Sequence, residues 1–225
     1  MKVILFGATG MVGQGVLREC LAAPDVEAVL AIGRTASLPA HAKLTQLAAS
    51  DLTDYAALAP RLAGFDACLF CLGVSAAGMS EADYTHITYD VTLAAASTLA
   101  RLSPGITFIY VSGDGTDASE HGRAMWARVK GRTENALFKL PLKAFMFRPG
   151  LIRPLHGIRS KTRLYRVVYS VMWPLFPVLS LFGLLTTTER VGRAMLRIVR
   201  EGAAKPILTN KDINLLGTAS TDHAS

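Results

Sequence analysis

Gly7, Gly10 and Gly13, each separated from the next by two residues, are the first residues in the chain whose type and spacing point to chemistry. A glycine series between a strand and a helix cradles a phosphate. Backbone without Cβ lets the anion approach, and the free N–H groups of the helix's first turn face it. Gly7 is expected to permit the tight reversal, Gly10 to let a dinucleotide's pyrophosphate come close, and Gly13 to let the helix pack on the sheet. Thr9, Met11 and Val12 lie between them and complete the expected cradle. The spacing is G-x-x-G-x-x-G, not the G-x-G-x-x-G of the general fingerprint. Its flanks fit a strand and a helix: Lys2 to Phe6 is a short apolar run, and Val12, Val16, Leu17 and Leu21 recur at helical intervals over Met11 to Leu21. A second strand, Glu27 to Gly33, leads into Arg34-Thr35. An acidic residue at that point binds the ribose 2′-hydroxyl of NAD, whereas an arginine accommodates the 2′-phosphate of NADP. Arg34, with no carboxylate beside it, favours NADP over NAD.

The chain also carries FGATGMVGQG at 6–15, DLTDY at 51–55, CLFCLGVS at 68–75, FIYVSGDGTD at 108–117, WARVKGRTEN at 126–135 and RPGLIRPLHG at 148–157. Together and in this order they resemble the extended or atypical branch of the short-chain dehydrogenase/reductase superfamily, which holds sugar-nucleotide epimerases, isoflavone-reductase-like enzymes and NmrA-like regulators. About the first two-thirds of the chain is covered. The resemblance implies an α/β fold, a doubly wound parallel Rossmann sheet. It places Asp51 and Leu52 beside the adenine, Leu72 and Gly73 where the cofactor ribose passes, and Pro149, Gly150, Leu151 and Ile152 along the nicotinamide amide.

For catalysis the resemblance implies a Tyr-x-x-x-Lys pair on a long helix, in which lysine holds the nicotinamide ribose and lowers the tyrosine pKa while tyrosine exchanges a proton with substrate. Here Lys130 is present and the tyrosine position is Trp126, one helical turn away on the same face. An indole N–H donates but does not ionise near neutral pH. Ser112, or the adjoining Gly113, takes the serine position, and Thr88 stands where relatives often carry asparagine. Tyr84, His86, His121, Asp114 and Asp117 are further candidates for an acid, near the carboxyl ends of strands where ligands bind in open α/β sheets. Taken singly, each has a plainer reading. Asp114 and Asp117 are turn formers, His121 faces solvent in a helix's first turn, and Tyr84 and His86 bound their helix.

Two function classes follow. One is an NADPH-dependent oxidoreductase on an apolar or anionic carbonyl-type small molecule; the other is a non-catalytic NADP(H)-binding sensor or assembly factor. A sugar-nucleotide epimerase is disfavoured, because only 75 residues follow Gly150 and the tyrosine is missing.

The elements that must position these residues alternate as strands and helices do in a parallel sheet covered on both faces. Beyond those named, strands are expected at Lys43 to Ala48, Ala67 to Leu72, Thr107 to Ser112 and Ala144 to Arg148. Helices are expected at Thr53 to Leu62, Tyr84 to Leu102 and Glu120 to Leu140, and a late one near Thr187, where Thr186 and Glu189 have capping-box spacing. At 225 residues and 51% hydrophobic, the chain suits a single domain over 1–217, with 151–187 as a substrate-side cap and 218–225 as a mobile tail. The composition and the lack of a cleavage site after the first strand suit a cytoplasmic protein. Cys20, Cys68 and Cys71 are expected as free thiols, since residues three apart on a strand point to opposite faces. Arg123 to Arg166 holds 12 Lys or Arg against one acid, Glu134, and the next 22 residues, Val167 to Thr188, carry no charge. An apolar lid or an ordinary buried face is favoured for that run over a peripheral membrane contact through 167–187, and Pro174, Pro177 and Gly183 disfavour a membrane span. Nucleic acid is not expected as a partner, because the basic stretch lacks interleaved aromatics and a binding module.

Overall fold

The computed structural model describes residues 1–158 and 184–218. In chain order these form β1 (Lys2–Phe6), α1 (Met11–Ala22), β2 (Ala28–Gly33), β3 (Leu44–Ala48), a 3-10 turn (Ala56–Leu58), α2 (Ala59–Leu62), β4 (Ala67–Phe70) and α3 (Glu81–Thr85). A π-helical segment (His86–Asp90) joins α3 to α4 (Val91–Leu102). There follow β5 (Thr107–Val111), α5 (Met125–Leu137), β6 (Lys143–Arg148), β7 (Leu151–Arg153), β8 (Leu185–Thr187), α6 (Thr188–Glu201), β9 (Ile207–Thr209) and α7 (Asn210–Leu216).

Among the described residues the main sheet has seven strands, all parallel, in the order β3-β2-β1-β4-β5-β6-β9. The chain winds outward from β1 to β3, then returns to lay β4 on the other side of β1. That reversal opens a crevice at the carboxyl ends of β1 and β4, where open α/β sheets bind ligands. The sheet is the doubly wound Rossmann arrangement.

Buried on both faces, the strands read as nearly continuous apolar runs. Ile4 and Phe6 of β1 join Ile32, Phe70, Phe108, Tyr110 and the α4 residues Ala95 and Leu99 on one face. Val3 and Leu5 join Val29, Leu69, Ile109, Phe147, Val16 of α1 and Met195 of α6 on the other. The two-residue period of a strand divides them. The first face holds an aromatic row, with Phe6 and Phe70 ring centres 5.0 Å apart and Phe70 and Phe108 5.8 Å apart. Cys68 belongs to the first face and Cys71 packs against the second, so the pair does not converge, and all three cysteines are free.

The last long helix closes on the first. A Cβ at Gly15 would lie 2.5 Å from Thr188 Cβ, and one at Gly192 would lie 2.8 Å from Glu19 Cγ, so at each contact a glycine of one helix makes room for a side chain of the other. Glu19, buried in that seam, pairs with Arg18 at 2.7 Å and Arg193 at 3.1 Å.

Several expected boundaries move for physical reasons. The helix expected over Thr53 to Leu62 is a 3-10 turn and the four-residue α2, because Asp51 and Asp54 hold Thr53 N and Ala56 N in local turns. The helix expected from Tyr84 starts at Glu81, capped by Ser80 accepting from Asp83 N. The helix expected from Glu120 starts at Met125, since Asp117 holds Ser119 N and Gly122 N in a loop. Thr187, not Thr186, caps α6, accepting from Arg190 N at 3.1 Å.

The ends of the expected cap are β7 and β8, which pair in parallel with Ile152 opposite Thr186. The rest of that cap, most of the uncharged run, and the tail after Thr218 lie outside the described residues. No helix among the described residues is long and apolar enough to cross a membrane.

Candidate active site

At the end of β1 the chain must turn and start α1 within a few residues. Gly7 takes φ +75°, and a Cβ on it would stand 2.6 Å from Leu72 N and 2.7 Å from Cys71 O, so the β1 exit lies against the β4 exit with no room for a side chain. A Cβ on Gly13 would stand 2.1 Å from Gly7 O. Gly10 N donates to Gly7 O at 2.9 Å, and Gln14 N donates to Gly10 O at 2.9 Å, which starts the helix. Gly10 is the N-cap without a side-chain bond, and the first turn of α1 holds no acid, so its N–H groups and dipole are unopposed.

Gly10 and Gly73 are less crowded. A Cβ on Gly10 would meet only Gly7 O, at 3.3 Å, and one on Gly73 would meet nothing within 4 Å. Gly7 and Gly13 are thus required by packing, Gly10 lies close to a single backbone oxygen, and Gly73 has open space beside it among the described residues.

On the β2 side, Arg34 is exposed and has no ion-pair partner among the described residues. Asp51 is exposed and accepts from Thr53 N at 2.7 Å and Thr53 Oγ1 at 2.6 Å, bonds that hold its carboxyl below the usual value. Leu52 is buried in the first core, and Leu72 is half-buried against it. Along the flank of α1 beside this loop runs a cavity of about 710 Å³ lined by Thr9, Arg18, Leu38, His41 and His156.

On the β5 side, Lys130 Nζ donates to the carbonyl oxygen of Ser112. Burial pushes the Lys130 ammonium down to about 8, and Glu134, one turn further along α5, pulls it partly back. The Ser112 hydroxyl is buried and donates to Phe147 O at 3.1 Å, so it is engaged by β6. Trp126, one turn before Lys130, lays the tip of its indole over Gly115, where a Cβ would stand 3.4 Å from Trp126 Cη2. The helix is clamped to the preceding loop, because a Cβ on Gly131 would fall 1.7 Å from Asp117 O.

The remaining candidates are spread out. Tyr84 is 2% exposed, inside the core under α5. His86 and His121 are exposed, and His86 Nδ1 sits 3.3 Å from Asp90. Asp114 is exposed, with its N–H on Pro149 O at 2.9 Å. Asp117 is a turn former, its carboxyl held below the usual value by Ser119 and Gly122. Thr88 is buried in the π-helical segment, with no partner for its hydroxyl among the described residues. Segments of this kind often occur at functional sites.

Beyond β6 the chain is pinned. Gly150 N donates to Asn210 Oδ1 at 3.0 Å, Leu151 N donates to Leu184 O at 3.3 Å, Pro149 is buried, and Leu151 and Ile152 lie in β7. Sequence reasoning missed the pair that fixes this end. Glu134 is fully buried and takes Arg148 on both oxygens, Nε to Oε1 at 3.1 Å and Nη2 to Oε2.

A glycine-lined turn at the switch point of a doubly wound parallel sheet, with a lysine at the β5 exit, is the architecture of a NAD(P)-binding Rossmann protein. The profile of the NAD(P)H-binding family matches residues 7–151, and the chain belongs to that family. It is 30% identical over 170 residues to protein fmp52, mitochondrial, of Emericella nidulans, covering 72% of this chain and 70% of that one. It is 25% identical over 252 aligned positions to leucinostatins biosynthesis cluster protein T of Purpureocillium lilacinum, covering 97% and 90%. Among solved structures it resembles Bordetella bronchiseptica WbmH in complex with NAD+, with a TM-score of 0.67 and 17% identity over 92% of this chain and 74% of that one. Streptomyces venezuelae DesIV, a dTDP-glucose 4,6-dehydratase with NAD bound, gives 0.67 and 18% over 96% and 79%. At these identities the structures speak to the fold.

Proposed function

We propose that the chain binds NADP(H) across the carboxyl edge of the sheet and reduces a carbonyl-containing small molecule of apolar or anionic character. The observation that carries this is the division of labour among the glycines: the Cβ positions of Gly7 and Gly13 are filled by backbone, while a Cβ on Gly10 would meet only Gly7 O and one on Gly73 nothing among the described residues. In this reading the first-turn N–H groups of Met11, Val12 and Gly13 hold the pyrophosphate with Thr9 beside them, and Asp51 and Leu52 flank the adenine. Lys130 donates to the nicotinamide ribose, and Pro149 to Ile152 form the wall along the carboxamide. Bound there, the reduced nicotinamide supplies a hydride. Arg34, exposed and without a carboxylate partner, supports NADP over the NAD held by the two solved neighbours.

A second reading, NADP(H) binding without turnover, is favoured by Trp126 at the tyrosine position and by the Ser112 hydroxyl engaged with Phe147 O. Calorimetric titration of NADPH and NADH into wild type and Arg34→Ala tests cofactor choice. The expected result is tighter binding of NADPH, with that preference lost in the variant; equal affinities in wild type overturn it. NADPH oxidation with benzaldehyde, cyclohexanone and phenanthrenequinone separates the two readings, since the binding-only protein oxidises NADPH no faster with them than without.

A further inference from the structure

We propose that Gln14 is a positioning residue of the glycine loop: its side-chain amide holds the Thr9 carbonyl toward α1, so that the loop meets a pyrophosphate with N–H groups and not with that oxygen. The proposal rests on the cofactor-binding reading above and not on turnover.

A carbonyl oxygen repels an anion and an N–H holds it, so a phosphate loop depends on which way its peptide groups face. Three carbonyls of this loop are engaged within the chain: Gly7 O accepts from Gly10 N at 2.9 Å, Gly10 O from Gln14 N at 2.9 Å, and Thr9 O from Gln14 Nε2 at 3.0 Å. Gln14 thus takes two consecutive carbonyls, one through its backbone and one through its side chain. The Gly10 bond belongs to the helix start, and any residue but proline at position 14 makes it. The Thr9 bond needs this side chain. A carbonyl is met only by the NH2 end of the glutamine amide, here on a stem that reaches back five residues.

With Thr9 O on Gln14 and Gly10 N on Gly7 O, both ends of the Thr9–Gly10 peptide are fixed. The N–H groups that follow, of Met11, Val12 and Gly13, are those an α-helix leaves without an intrahelical acceptor. Gly10 has no Cβ to limit its φ, so without the Gln14 bond that peptide is free to turn its oxygen toward the crevice. Thr9, Gly10 and Gln14 are half-buried, and the bond works where water competes only in part.

The test titrates NADP+ calorimetrically into wild type, Gln14→Leu and Gln14→Glu, with circular dichroism melts of each. Leucine keeps the bulk and removes the donor, whereas glutamate donates only when protonated. At neutral pH Gln14→Leu is expected to bind about 5- to 10-fold more weakly, the share of one hydrogen bond, and to melt within about 4 °C of wild type. Gln14→Glu is weaker still, because its carboxylate faces Thr9 O and the phosphates. As the pH falls toward about 4.3, the ordinary glutamate value, its affinity rises past that of Gln14→Leu toward wild type. Relief of charge alone brings it only level with Gln14→Leu. Arg18, His41 and His156 line the same cavity as Gln14 and Thr9 and are present in all three proteins, so wild type and Gln14→Leu supply the background at each pH.

A Gln14→Leu protein that binds NADP+ as tightly as wild type overturns the proposal and leaves the cofactor site standing. So does a Gln14→Glu protein that never exceeds Gln14→Leu at low pH. A fall in melting temperature beyond about 4 °C alongside the lost affinity also overturns it, since Gln14 then supports the fold and not the loop. A wild type that binds no NADP+ removes the cofactor reading and this proposal together.

Discussion

Replacing Arg148 with methionine removes the guanidinium from a carboxylate whose side chain is 1% exposed, while Arg148 itself is 19% exposed. Methionine matches the aliphatic stem, so the loss is electrostatic and not one of volume. A buried carboxylate left without its cation costs about 3–5 kcal/mol. Total stability in proteins is about 5–15 kcal/mol, so this is a large share. For a chain of this size the shift in Tm is roughly 6–20 °C. The double variant Glu134→Gln/Arg148→Met leaves no charge at this pair and is expected to recover most of that loss. Circular dichroism melts and urea denaturation of wild type, each single variant and the double variant give the cycle. If Arg148→Met melts within about 2 °C of wild type, or the double variant is no more stable than Arg148→Met, the pair does not couple α5 to β6 as described.

Gly13→Ala would gain up to about 1 kcal/mol in an open helix, but here the methyl meets Gly7 O at 2.1 Å. The variant is therefore expected to lose about 1–3 kcal/mol or more in urea denaturation. Gly73→Val meets open space and is expected to leave the melting temperature unchanged while weakening NADPH in a calorimetric titration, because the β-branched side chain projects into the crevice. Trp126→Tyr places an ionisable hydroxyl one turn from Lys130 and is expected to raise NADPH oxidation, followed by absorbance, by up to about 10²-fold. No gain means that this position does not face the substrate.

The regular parts of the fold were legible because each buried strand is an apolar run between turn residues: Lys2–Phe6, Leu44–Ala48 and Thr107–Val111 appear within a residue of where the pattern places them. β7, β8 and β9 were missed because three residues are too few to show a period, and their pairing is set by partners far along the chain, Leu151 with Leu185 and Met146 with Ile207. The start of α7 and the Ser80 cap of α3 were missed, although the Thr209–Asp212 capping box and the Ser80–Asp83 spacing are local signals. At the site, Gly7 and Gly13 were readable from spacing because each is a backbone requirement. The Ser112 hydroxyl turning to Phe147 O and the Glu134–Arg148 pair depend on contacts between residues 35 and 14 positions apart, which no local pattern reports.

The central claim is that the loop from Gly7 to Gly13 is the phosphate site of an NADP(H)-binding cleft. Titrating NADPH calorimetrically into wild type and Gly10→Val tests it directly, with circular dichroism melts alongside. A Cβ on Gly10 would meet only Gly7 O, at 3.3 Å, so the valine variant is expected to fold with a loss of about 1 kcal/mol at the helix N-cap and to show no heat of NADPH binding, while wild type binds. A folded Gly10→Val protein that binds NADPH as tightly as wild type would contradict the claim.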